Sequence, residues 1–119
     1  MTVYVDDAYV PATVGHVTSR WCHLVSDADD PTELHAFAAR IGLRRAWFQP
    51  GRRPGDGSPD PTKNHYDLTE EARARAVAAG AVEITAHEGG RMRLARRAAA
   101  RAGLRSGLRS GLPSGRTPA

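Results

Sequence analysis

Residues 64–69, Asn-His-Tyr-Asp-Leu-Thr, set an imidazole and a carboxylate two positions apart with a phenol between them. In an extended segment His65 and Asp67 point to one side and Tyr66 to the other. An imidazole held by a carboxylate can act as general acid or base, and a phenol can stabilise an oxyanion. His65, Asp67, Tyr66 and His35 are therefore the candidate catalytic residues. His23, His35, His65 and Asp6 form an overlapping set of candidate metal ligands. Two or three imidazoles with a carboxylate suit a catalytic Zn²⁺, Mn²⁺ or Fe²⁺, so a divalent metal ion is the one cofactor suggested. Each residue also has a plain structural use. His35 can border a buried helix face, His65 can bond backbone, and Asp67 can form an Asx turn. The spacing matches no compact metal motif such as His-Glu-x-x-His.

Arg44 and Arg45 are candidate phosphate-binding residues, since paired guanidinium groups grip phosphate bidentately. A solvated rim is the competing reading for them, as it is for Arg52 and Arg53. No Walker A loop, no Gly-x-Gly-x-x-Gly after a strand and no Cys-x-x-Cys pair occurs, which excludes P-loop, Rossmann and zinc-ribbon readings. Cys22 is the single cysteine, so no internal disulfide can form, as suits a reducing compartment. It reads as a small buried residue and not as a nucleophile.

These side chains need a scaffold. Residues 2–5, rich in β-branched and aromatic types, predict a strand that ends at Asp6-Asp7, a position where ligating side chains are often displayed. Residues 8–18, broken by Pro11 and Gly15, read as a loop. Residues 20–25 predict a second strand with Trp21 and His23 on one face and Cys22 and Leu24 on the other. A helix over 31–41 follows, with Asp30 as cap, Pro31 in the first turn and Glu33 behind it. Its Leu34, Phe37, Ala38 and Ile41 make one apolar face, and Gly42 stops it. Residues 46–49 predict a short strand, with Trp47 and Phe48, like Trp21, assigned to the core. Residues 50–64 hold four prolines and three glycines and read as a loop, a functional flap or a tolerated insertion. Thr69 caps a second helix over 70–79 with Glu70 and Glu71 in its first turn, and a strand over 81–85 ends the domain. The fold class is α/β: a small sheet with two packed helices, and a basic, largely disordered tail behind it.

The charge is divided along the chain. The formal net charge of +4 hides a tail, residues 91–119, with eight arginines and no acid. Residues 1–90 hold nine Lys or Arg against thirteen Asp or Glu, a net of −4. A domain over 1–88 and a tail over 89–119 follow, the tail helical at 91–102 and disordered after, where Gly-Leu-Arg/Pro-Ser repeats. Any contact with nucleic acid is thus expected of the tail alone. No apolar run approaches the roughly 20 residues that span a bilayer, and the first residues lack the pattern of a secretory signal. A cytoplasmic location with no membrane partner is the expectation.

Five blocks carry a likeness: MTVYVDDA at 1–8, WCHL at 21–24, ELHAFAARIGL at 33–43, WFQ at 47–49 and HYDLT at 65–69. In this order they resemble the domain of unknown function 4031 family of bacteria and phages, marked by a His-Tyr-Asp motif. The resemblance covers about residues 1–85, implies no activity or substrate, and makes the 50–64 loop and the Arg-rich tail look like additions. Two functions fit the residues. One is a hydrolase-like enzyme acting on a phosphate-bearing or nucleotide-like small molecule through the His/Asp cluster. The other is a non-catalytic binding or accessory module whose basic tail contacts nucleic acid or an acidic partner. Convergence of His35, His65 and an aspartate within ligating reach favours the first.

Overall fold

A computed structural model describes residues 2–111, with 104–111 described by backbone alone. Five strands, β1 (Val3–Val5), β2 (Val10–Val14), β3 (Val17–Ser26), β4 (Tyr66–Leu68) and β5 (Val82–Glu83), form one mixed sheet. Three helices accompany it: α1 (Thr32–Arg40), α2 (Glu70–Ala78) and α3 (Ala86–Gly111). The long strand β3 organises the sheet. It pairs antiparallel with β1 and β2 along one edge and with β4 along the other, and β5 lies parallel to β1. Since β4 and β1 both oppose β3, β4 and β5 run the same way, and α2 crosses over β3 and β1 to join them.

Strand alternation gives the sheet two different faces. Val3, Val5, Cys22, Leu24, Tyr66 and Leu68 are buried together with Leu34, Phe37, Ala38 and Ile41 and with Ala72 and Ala76. This face is covered by α1 and α2, and the apolar stripe predicted for the first helix is the stripe that is buried. The opposite face carries Trp21, His23, Asp67 and His65, and the first turns of α3 line its far side.

Several local expectations are corrected. Residues 10–14 are a strand and not a loop, joined to β3 through Gly15-His16, with Gly15 at a left-handed φ of 62°. Pro11 is tolerated because β2 is an edge strand, where a missing N–H costs little. Residues 46–49 are not a strand: Arg45–Trp47 form a 3₁₀ turn, and only Gln49 pairs, with His65. Trp47 is half exposed and not in the core, because that turn swings it outward while Phe48 packs against the core edge. The 50–64 segment is an ordered excursion, closed by pairing of Gln49 with His65 and of Arg52 with Pro59. Gly51 is required there, since a Cβ would stand only 2.1 Å from the Asp60 carbonyl oxygen.

The tail begins differently as well. Thr85 and Glu88 form a reciprocal capping box, Thr85 Oγ1 accepting from the Glu88 amide and Glu88 Oε1 from the Thr85 amide. Asp7 adds a third cap by accepting from the Ala86 amide. The helix therefore starts at Ala86, ahead of the predicted 91, and runs through Gly111. The disorder expected after 102 concerns, for residues 112–119, positions outside those described.

Candidate metal centre

The register of β3 and β4 places His23 directly opposite Asp67. His65 enters the same face two residues before Asp67. His65 Nε2 stands 3.4 Å and His23 Nε2 3.8 Å from the same Asp67 Oδ1. No two of the three ligand atoms are farther apart than 4.8 Å. Two ligands about 2.0–2.1 Å from a tetrahedral ion are separated by roughly 3.4 Å, so this trio needs little movement to close on one.

Backbone geometry prepares the histidines. Four residues, Asp6–Tyr9, stand opposite only Cys22 and His23 where β1 gives way to β2, which makes a bulge in the ladder. Tyr9 takes a left-handed φ of 47° to permit it. The Asp6 carboxylate fills the bulge: Oδ1 accepts from the amides of His23 and Ala8, and Oδ2 accepts from His23 Nδ1 at 2.7 Å. His65 Nδ1 likewise donates to the Lys63 carbonyl at 2.9 Å. Carboxylates and carbonyls only accept, so both imidazoles carry a proton on Nδ1 and present Nε2 to Asp67. Ligating histidines are typically fixed this way, by a partner on the remote nitrogen.

The electrostatics suit a cation. Burial opposes the charge on Asp6, but the bonds from the His23 ring and amide outweigh it and hold its pKa below the usual 3.8. Asp67 is lowered by its bond with His65, against burial and with help from Gln49. Gln49 Nε2 donates to Asp67 Oδ2 at 2.5 Å, leaving Oδ1 turned to the histidines. Burial disfavours charged His65, yet Asp67 and the Lys63 carbonyl prevail and raise its pKa above 6.5. An ion would compete with that proton for Nε2.

Residues 3–98 match the family described as protein of unknown function, DUF4031. The chain belongs to that family. No curated protein and no solved structure matches it. The DUF4031 match spans the 50–64 segment and reaches past the first turns of α3, whereas the sequence resemblance ended near residue 85.

Those turns matter to the geometry, because α3 forms one wall of a cleft of about 310 Å³ over the histidines. His23, His65 and Asp6 line its floor, and Lys63 and Arg93 bring positive charge to its walls. Gly89 and Gly90 face it without side chains, and a Cβ on Gly90 would meet nothing within 4 Å. The helix is pinned by Arg96, bonded to the Ser26 carbonyl and Asp29, and by Arg97, bonded to Asp60 Oδ2 at 2.8 Å.

The candidate residues thus separate into groups. His23, His65, Asp67 and Asp6 come together, with Asp6 bracing His23. Tyr66 turns to the covered face, where its hydroxyl lies 2.7 Å from His35 Nδ1, so neither belongs to the open-face cluster. The His35 Nε2 atom is buried with no hydrogen-bond partner, and burial followed by the nearby Arg45 lowers the pKa of the ring. Arg44 and Arg45 are exposed and lie over the rings of Trp47 and Phe48, away from the cleft. The start of α2 is not free for an anion: Ser19 accepts the Glu70 amide and Thr69 the Ala72 amide. Gln49, Lys63 and Arg93 were not singled out in the sequence. The Thr85-x-x-Glu88 spacing, a capping box, was the signal that would have brought α3 to the cleft.

No helix among the described residues is long and apolar enough to cross a membrane.

Proposed function

We propose that the domain is a metal-dependent hydrolase of phosphate esters, with His23 Nε2, His65 Nε2 and Asp67 Oδ1 as its metal ligands. The observation that carries this reading is the double fixation of the histidines, each tied through Nδ1 so that both Nε2 atoms meet one carboxylate oxygen. Three protein ligands leave a position open, as catalytic sites of this composition do. A divalent ion held by these three residues would supply Lewis acidity and lower the pKa of a water toward neutrality. The chain's own part is to position and neutralise. Lys63 and Arg93 flank the cleft and compensate phosphoryl charge. Asp6 keeps His23 in its tautomer and orientation. The water oxygen bonds to phosphorus, the ester P–O bond breaks, and the alcohol departs with a proton drawn from water.

The purified protein should bind about one Zn²⁺ or Mn²⁺ per chain, measured by titration calorimetry. His65→Ala should weaken that affinity more than ~100-fold and abolish phosphoesterase activity while leaving the melting temperature nearly unchanged, because removing a ligand costs more than removing its support. A chain that takes up no metal, or a variant that loses stability alone, would overturn the proposal. The second reading, a non-catalytic module binding nucleic acid through its tail, draws on the exposed Arg91, Arg93 and Arg101 of α3. It requires binding that falls steeply with salt and ignores metal.

A further inference from the structure

Beside the metal cluster lies a second concavity of about 550 Å³. Its lining includes Trp21, Trp47, Phe48, Gln49, Asp67 and Arg75. Two features separate it from a patch of core left uncovered. First, it joins the cluster through one carboxylate: Asp67 Oδ1 faces the histidines, and Asp67 Oδ2 accepts from Gln49 at the wall of the groove. Second, its rings are held in place and partly open. Trp21 is tied by its Nε1–H to the Ala12 carbonyl at 3.0 Å, and Trp47, half exposed, has the Arg44 guanidinium 5.8 Å from its ring centre.

We infer that this groove is the base-binding half of the substrate site, and that the substrate is a nucleoside phosphate. The inference rests on the reading of the cluster as a phosphoesterase centre and deepens it. The two concavities divide the chemistry of such a molecule. Lys63 and Arg93 lie on the cleft side of the metal cluster, where the phosphate belongs. The tryptophans lie on the other side, and an indole face takes any flat base by stacking. At the groove wall Gln49 Nε2 is engaged by Asp67, Thr69 Oγ1 by the Ala72 amide and Arg75 by Ile41 and Glu71, which leaves the Gln49 carbonyl oxygen, the Thr69 hydroxyl proton and Arg75 Nη2 to meet the edge of a ring. The volume lies within the ordinary range of small-molecule sites.

Trp21 and Trp47 are the only two tryptophans of the chain, so intrinsic fluorescence reports on this groove directly. Adenosine and adenosine 5′-monophosphate should change the emission saturably, whereas ribose 5-phosphate should bind without that change. Trp47→Ala should weaken binding of the monophosphate about tenfold or more, the usual loss when a stacked ring is removed. Trp47→Phe should restore most of it, and Zn²⁺ affinity should be the same in both variants. Equal affinity for ribose 5-phosphate and adenosine 5′-monophosphate, or a Trp47→Ala variant that binds the nucleotide like the wild type, would overturn the inference. Adenosine binding measured without metal tests the groove alone. A protein that binds adenosine but no metal therefore refutes the phosphoesterase reading and leaves the groove standing.

Discussion

One tripeptide feeds two histidine sites of opposite character. On the open face, His65 and Asp67 meet His23, with two carboxylates near the imidazoles and a cleft above them. On the covered face, Tyr66 meets His35 among apolar side chains, with Phe48 edge-on to the His35 ring at 4.5 Å. The strand period of two divides the residues, and burial then decides what each can do. Carboxylate partners raise the pKa of His65, whereas burial lowers that of His35. The same residue type thus becomes a candidate ligand on one side and a structural group on the other.

Tyr66 offers the largest expected effect. It is the largest fully buried side chain of the described residues. Tyr66→Ala should cost about 3–5 kcal/mol, the usual loss for truncating a buried aromatic ring. Tyr66→Phe keeps the ring but leaves both His35 nitrogens without a partner, for about 1–3 kcal/mol. Chemical denaturation measures both, and metal affinity should survive in Tyr66→Phe. A Tyr66→Phe protein of normal stability that has lost activity would erase the distinction between the faces and give the phenol a part in catalysis.

The sequence disclosed this division unevenly. Alternation in the segments around His23 and His65 was enough to put His65 and Asp67 on one side, and the periodic Leu34, Phe37 and Ile41 were enough to cover the other. The sequence does not separate His35 from the open-face histidines, because a histidine bordering an apolar helix stripe carries no sign of its face. The β2–β3 hairpin leaves no amphipathic pattern in the sequence, because its residues are nearly all exposed. The role of Asp6 was invisible for another reason. It depends on a bulge whose extra residues appear only when β1 and β2 are both aligned on β3.

Asp6→Asn tests whether the open face is organised by that bulge. Asparagine can still accept from the His23 and Ala8 amides, so the fold should be nearly as stable. Its side-chain NH2, in place of Oδ2, then faces His23 Nδ1 and can only donate to it, so the ring proton shifts to Nε2, the atom that would ligate, and a charge is removed. Zn²⁺ affinity should fall about 10–100-fold, as expected when the support of a ligating histidine is lost. Calorimetric titration reads this. Unchanged affinity would mean that His23 is not a ligand, and the cluster would shrink to His65 and Asp67.

The smallest effect concerns pH and exposes the contrast directly. His35 has a folded-state pKa below 6.5, through burial first and Arg45 second, with Asp30 opposing. Below 6.5 the unfolded chain binds the proton more readily than the fold does, so the stability held by neutral His35 is present above that pH and lost as pH falls through the folded value. His65 runs the other way: its pKa is raised, so its contribution is complete below 6.5 and lost as pH rises above it. In metal-free protein, His35→Gln should therefore lose less stability than the wild type between about pH 7.5 and 5.5, a window well above ordinary carboxylate titration. Urea midpoints at the two pH values provide the comparison. If the difference between variant and wild type were the same at both, His35 would not be held neutral by burial, and the covered site would have to be regarded as open to solvent like its neighbour across the strand.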